Sequence, residues 1–180
     1  MITNSKNNTH SYSIDQKNNI FDTCKSSVLA KDLGFTILLP YSCFDDRFIH
    51  NGFNKTLADK YPVVKENFDM LPKQRSLGKT QFVEVLKDKQ YGHSLILASM
   101  ICQKNNKGFR KINYASLAYC MMSVKNKFEQ LKKDPEISRV QIHCPKFGTG
   151  VSAGNWTFIS YLIDDLWNNI DTRVYFNQKK

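Results

Sequence analysis

The segment Pro145-Lys146-Phe147-Gly148-Thr149-Gly150 follows an apolar run and precedes an amphipathic stretch that begins near Asn155. This order predicts a loop at the carboxyl end of a strand, where open α/β sheets bind ligands. Glycine lets backbone N–H groups approach an anion closely. A plain tight turn is the alternative, because the segment has neither a Walker ending nor the longer dinucleotide fingerprint. We therefore predict a phosphate-binding loop and a nucleotide-type ligand.

The composition favours an anionic partner. The 180 residues suit one domain, and the formal net charge is +10. Such a balance favours nucleotides, nucleic acid or acidic lipid, although scattered lysines can also simply coat a surface. The aromatic residues are not interleaved with arginines, as a binder of single strands would need. Nucleic acid is thus a possible partner that the sequence does not favour.

The cysteines and the apolar runs indicate in which cellular compartment the protein is expected. The chain has five cysteines, an odd number, and no pair has C-x-x-C spacing, which argues against a disulfide framework and a zinc ribbon. No apolar run approaches the roughly 18 residues of a membrane span, and the polar N-terminus is not a secretory signal. We expect an intracellular, cytoplasmic protein with reduced thiols, no membrane partner, no metal site and no cofactor.

Strand-like and helix-like runs alternate along the chain. Apolar runs and alternation predict strands at 12–14, 35–39, 81–86, 94–102, 140–144 and 173–176. Helical spacing predicts helices at 52–61 and 114–133, the second capped by Asn113, a helix capped by Asn155, and a further helical piece within 63–79. Pro40 is expected to end the second strand, with a polar loop at 41–51. His143, within a predicted strand, is interpreted as a satisfied sheet residue.

This order of elements predicts the fold class. Strands that alternate with helices give an α/β fold of three layers, with a mixed, largely parallel sheet and helices on both faces. Residues 1–10 read as a flexible tail, and residues 11–180 are expected to form a single domain.

The stretch from Gln141 to Trp156 resembles the C-terminal half of a macro domain. The shared features are a strand, a proline, a basic or polar residue, an apolar residue, Gly-x-Gly and a tryptophan six residues after the second glycine. The nearest branch contains ADP-ribose-1''-phosphate phosphatases and lysine-dependent ADP-ribosyl-glutamate hydrolases. Upstream, Gly52 and the run that ends at Tyr61-Pro62 are similar to the family's helix ending in Tyr-Pro. The resemblance implies a divergent macro-like fold.

The resemblance also implies a ligand, ADP-ribose, in a cleft at the carboxyl ends of the central strands. Asn19 stands where the family has an aspartate that receives the adenine amino group, and Ile20 would touch the adenine ring. Phe147 would pack near the distal ribose. The remaining ligand-binding residues that the resemblance implies are Gly52 and the phosphate-cradling Gly148, Thr149, Gly150, Val151 and Ser152.

The catalytic residues of the family are not retained. Phe44 replaces an asparagine, His50 a glycine of a Gly-rich loop, Gln103 an attacking lysine, and Ser152 an aspartate.

Different chemistry could arise in the loop at 41–51. Asp45, Asp46 and His50 are groups that position a water or donate a proton, so they are the candidate catalytic residues. The alternative is that these three side chains form a solvated loop.

Three functions remain open at this point. The first is binding of ADP-ribose or a related derivative, as a reader or sequestering protein. The second is hydrolysis, either as a phosphatase acting on ADP-ribose-1''-phosphate or as an ADP-ribosyl hydrolase. The third is a basic interaction module without an ADP-ribose ligand.

Overall fold

A computed structural model describes residues 10–28, 35–72, 76–88, 92–105 and 111–176. The elements, in chain order, are β1 (Ser13–Asp15), α1 (Ile20–Val28), β2 (Phe35–Phe44), α2 (Gly52–Lys60), α3 (Pro62–Asp69), β3 (Thr80–Asp88), β4 (His93–Gln103), α4 (Tyr114–Lys132), β5 (Arg139–Pro145), α5 (Trp156–Leu166) and β6 (Thr172–Tyr175).

The strands form one sheet in the order β1-β6-β5-β2-β4-β3. All neighbouring pairs are parallel except β3 with β4, which is antiparallel. The sheet is therefore mixed and largely parallel, and the predicted α/β class is confirmed. The four strands at its centre end along the same edge, which is where the predicted ligand loop begins.

Apolar side chains cover both faces of the sheet. Along β2, Leu38 packs with α4 and α5, whereas Ile37 and Leu39 pack with α1, α2 and α3. Alternate residues of a strand point to opposite faces, so one continuous apolar run supplies both cores. The predicted three layers are confirmed.

The structure corrects the predicted end of the second strand. Pro40 does not end β2, which continues to Phe44. Pairing between β2 and β5 stops at Leu38, while pairing with β4 continues beyond Pro40. A proline, which lacks an N–H, is tolerated where a strand has a neighbour on one side only. The extension places residues 41–44 in a strand instead of the predicted loop.

Helix α1 was not predicted. Its start is capped by Asn19, whose Oδ1 accepts hydrogen bonds from the N–H groups of Phe21 at 2.9 Å and Asp22 at 3.4 Å. Ile20, Phe21 and Cys24 are buried on one face. The predicted flexible tail at 1–10, apart from His10, lies outside the described residues, and the domain boundary at residue 11 stays a prediction.

Candidate functional site

A cavity of about 360 Å³ lies at the carboxyl ends of four adjacent strands, β6, β5, β2 and β4. Three strand spacings separate the first from the last, so the cavity is roughly 14 Å long. The loop at 145–152 forms its middle, and the start of α2 forms another wall. Its volume is within the usual range for small-molecule sites.

Gly148 sets the shape of the loop. Its φ is +77°, and a Cβ at this position would lie 2.7 Å from Ile112 Cδ1 and 3.0 Å from Ile159 Cδ1. The Gly148 carbonyl accepts a hydrogen bond from the Gly154 N–H at 2.9 Å, which folds the loop back on itself. Glycine is therefore required both for the backbone conformation and for the close packing.

Carbonyl groups of the loop accept hydrogen bonds from other backbone groups, while the loop N–H groups stay available. The carbonyl of Gly150 accepts from the Ala153 N–H at 3.0 Å, and that of Ser152 accepts from the N–H groups of Lys111 and Ile112 at 3.1 and 3.3 Å. Among the described residues, no acceptor pairs with the N–H groups of residues 148–152. Consecutive unpaired N–H groups form a concave site for an anion.

The end of the cavity at β6 is aromatic and cationic. Tyr175 and Phe176 line it together with Lys146. Tyr175 is fully buried, and its hydroxyl group hydrogen bonds to His143 Nδ1 at 2.8 Å. Phe176 is only partly buried, so its ring offers a face on which a nucleobase can stack.

The opposite end, at β2 and β4, carries neutral hydrogen-bonding groups. Gln103 Nε2 donates to Ser42 Oγ at 2.5 Å, and Asn54 Nδ2 donates to the Ser42 carbonyl at 3.3 Å. Phe44 closes this end, with the Lys111 ammonium 5.8 Å from its ring centre. Amide and hydroxyl groups suit the hydroxyls of a sugar.

Most of the predicted ligand-binding residues lie together. Gly52, Phe147, Gly148, Thr149, Gly150, Val151 and Ser152 all line the cavity. Two do not belong to the lining. Asn19 uses its side chain to cap α1, and Ile20 is fully buried in the core beneath that helix. In this conformation Ile20 presents no surface to an adenine ring.

The candidate catalytic residues lie outside the lining. The Asp46 carboxylate accepts from Asn105 Nδ2 at 2.8 Å, and that of Asp45 from the Asn105 N–H at 3.4 Å. His50 Nε2 lies 3.2 Å from an Asp59 carboxylate oxygen, with both side chains about half exposed. Their catalytic role stays a prediction. Within the described part of the chain, no cluster of His, Cys, Asp or Glu could hold a metal ion.

Several lining residues were missed. They are Tyr41 and Ser42 in the last part of β2, Gln103 at the end of β4, Tyr175 at the end of β6, Phe176 directly after it, and Asn54 in the first turn of α2. Their shared signal is position, because the carboxyl ends of adjacent parallel strands meet at one edge. Ser42 was predicted to lie in a loop because the strand was thought to stop at Pro40.

Known structures share this architecture. A Bacteroides thetaiotaomicron protein of unknown function superposes with a TM-score of 0.67 at 19% identity, over 93% of this chain and 99% of its own. The macrodomain of Mycobacterium tuberculosis DarG superposes with a TM-score of 0.62 at 13% identity, over 93% and 98%. The chain has the macrodomain fold. Thermosipho africanus DarTG, solved in complex with ADP-ribose, matches with a TM-score of 0.55 at 13% identity, over 79% of this chain and 38% of its own.

The sequence resemblance to a macro domain is thereby confirmed at the level of fold. No family model matches the chain, and no curated protein matches it by sequence. The nearest branch within the macrodomains therefore stays a prediction. Across the described residues, no helix is both long enough and apolar enough to span a bilayer.

Proposed function

We propose that this macrodomain-fold protein binds ADP-ribose or a closely related derivative. One observation carries the proposal. The unpaired N–H groups of residues 148–152 lie between an aromatic end and a hydroxyl- and amide-lined end of one cavity. The three parts of the cavity follow one another in the same order as the adenine, the diphosphate and the distal ribose of ADP-ribose. The ADP-ribose complex of Thermosipho africanus DarTG, a protein of similar fold, supports the same ligand.

Each part of the ligand has a matching wall. The adenine ring stacks on Phe176, which is only partly buried, and the diphosphate accepts hydrogen bonds from the loop N–H groups. The distal ribose lies toward Ser42 and Gln103. The Gln103 amide already donates to Ser42 Oγ, so the serine hydroxyl hydrogen is available for a sugar oxygen.

The lining favours binding over hydrolysis. Among its described members there is no carboxylate, imidazole or thiol that could act as a general base, and the cation present is Lys146. The hydrolase alternative depends on Asp45, Asp46 or His50, whose side chains bond elsewhere. We therefore propose a reader or sequestering protein.

Calorimetry with ADP-ribose tests the proposal. Val151 is 54% exposed and lines the cavity next to the N–H groups, so Val151→Glu places a carboxylate beside the diphosphate. We expect the Kd to rise at least about tenfold, a loss of ~1.4 kcal/mol. The matched control is Val63→Glu, the same change at an exposed valine of α3 that lies outside the lining.

The outcomes separate the three functions. Binding that weakens in Val151→Glu and persists in Val63→Glu supports the proposal. No heat with millimolar ADP-ribose in the unmodified chain would refute it. Duplex DNA binding that falls steeply with salt and is equal in both variants would instead indicate the basic interaction module.

We also propose an intracellular location. All five cysteines are buried free thiols. Burial raises the pKa of Cys24 to about 12 and that of Cys120 to about 11, so neither forms a reactive thiolate near neutral pH. Unpaired, unreactive thiols are usual in reducing compartments.

A further inference from the structure

The ammonium of Lys146 rests on two aromatic rings at the edge of the cavity. Its Nζ lies 4.9 Å from the ring centre of Phe176 and 5.5 Å from that of Trp156. The two rings are perpendicular and 5.5 Å apart, so they form a corner that holds the cation. Both distances are within the range of cation–π attraction.

The backbone of Lys146 is fixed by hydrogen bonds, whereas only the two rings hold its side chain. Its N–H donates to the Tyr175 carbonyl at 3.1 Å, and its carbonyl accepts from Thr149 Oγ1 at 3.2 Å. The residue is exposed, and no described carboxylate lies within ion-pair distance of the ammonium. Rotation about its own side-chain torsions is therefore enough to move the charge.

Lys146 and Phe176 both line the cavity, and Lys146 is two residues before the first glycine of the anion-binding loop. We propose that Lys146 is a phosphate-binding residue that leaves the aromatic corner when a ligand enters. Its ammonium then binds the phosphate held by the loop N–H groups, and the nucleobase takes its place on Phe176. This inference rests on the proposed function and adds a residue to that site.

Two effects drive the movement in the same direction. A cation over partly exposed rings such as these gains less than an ammonium in a charge-assisted hydrogen bond to a phosphate oxygen. A base cannot stack on the face of Phe176 that the ammonium covers, so base binding also expels it. The phosphate attracts the cation and the base displaces it.

The test compares Lys146→Met, Lys146→Arg and the matched control Lys132→Met. The Lys132 ammonium also covers a ring, 5.6 Å from the centre of Phe128, but Lys132 ends α4 outside the cavity. Calorimetry at fixed ionic strength uses ADP-ribose, inorganic pyrophosphate and adenosine. We expect Lys146→Met to raise the Kd of ADP-ribose and of pyrophosphate about tenfold, because each loses a charged hydrogen bond. Adenosine has no phosphate, so its affinity should be unchanged or higher.

The arginine variant and the control complete this comparison. Lys146→Arg should keep most of the phosphate affinity because the charge remains, and Lys132→Met should match the unmodified chain. Unchanged ADP-ribose affinity in Lys146→Met would overturn the inference, and so would an equal loss for adenosine, which marks a structural defect. Failure of the unmodified chain to bind ADP-ribose would refute the proposed function itself.

Tryptophan emission gives a second readout. The chain has two tryptophans, and Trp167 is fully buried with its Nε1 bonded to the Met121 carbonyl. Saturating pyrophosphate, which has no base to stack, should change Trp156 emission by drawing the ammonium off the indole. The change should be absent in Lys146→Met at saturation. Unaltered emission in the unmodified chain would contradict the movement.

Discussion

At the scale of single residues, the two glycines of the loop have different roles. Gly148 has positive φ and no room for a Cβ, whereas a Cβ on Gly150 would meet open space. We expect Gly148→Ala to lower the free energy of unfolding by about 1–3 kcal/mol through strain and overpacking. Gly150→Ala should change it by no more than about 0.5 kcal/mol.

Urea unfolding followed by circular dichroism measures both variants. Equal stability of Gly148→Ala and the unmodified chain would show that the loop relaxes around the new methyl group. A large loss in Gly150→Ala would mean that this glycine also supports the fold.

The same loop shows what a sequence can specify at this scale. The ligand loop with Gly148 and Gly150 was predictable because the reasons for glycine are local. Glycine allows the backbone conformation of the turn and lets an anion approach the N–H groups. Asn19 and Ile20 were assigned by resemblance alone, and the structure places them outside the lining. Whether a side chain reaches a cavity depends on the orientation of α1, which no local pattern encodes.

At the scale of elements, the cap of the longest helix provides a test. Asn113 Oδ1 accepts from the Ser116 N–H at 2.9 Å at the start of α4. We expect Asn113→Ala to lower the free energy of unfolding by about 1 kcal/mol, and Asn113→Asp to retain it. Chemical denaturation measures all variants.

The control has the opposite expected sign. Asn126 is exposed within α4, where alanine is the better helix former, so Asn126→Ala should be neutral or slightly stabilising. A loss of similar size at both positions would mean that helix content in general, and not the cap, determines the effect.

The caps of α4 and α5 were predictable because asparagine before an amphipathic run is a local signal. The full length of β2 was not predictable, because a proline usually ends a strand. Only the structure shows that β2 has already stopped pairing with β5 at Leu38, so that Pro40 needs no hydrogen bond on that side. Helix α1 carried a usable signal in Asn19 and its apolar face, but its nine residues are short for a periodicity argument.

At the scale of the whole molecule, a series of polar side chains runs along β5 and β6 from exposed Arg139 and Asp171 to buried Tyr175 at the cavity. Arg139 donates to Asp171 at 2.8 Å, and the Gln141 amide donates to the same carboxylate. The Gln141 carbonyl is then left to accept from His143 Nε2–H at 3.1 Å, and His143 Nδ1 accepts from the Tyr175 hydroxyl. The acceptor-only carboxylate thus orients the Gln141 amide and places a proton on His143 Nε2, whereas the sequence predicted only a satisfied sheet residue.

Because His143 is buried, the free energy of unfolding depends on pH. Burial, with a smaller contribution from the Arg173 charge, lowers the pKa of His143 from 6.5 to about 4. Below pH 6.5 the unfolded chain binds a proton at this residue that the folded chain does not, so the free energy of unfolding falls as pH falls. The loss should reach about 3 kcal/mol at pH 4 and then level off.

His143→Gln can still donate to Gln141 and accept from Tyr175, but it does not titrate. Urea unfolding at several pH values between 7 and 4 should therefore show a steeper loss in the unmodified chain than in His143→Gln. Parallel curves would show that His143 protonates in the fold as readily as outside it, and that burial does not keep it neutral.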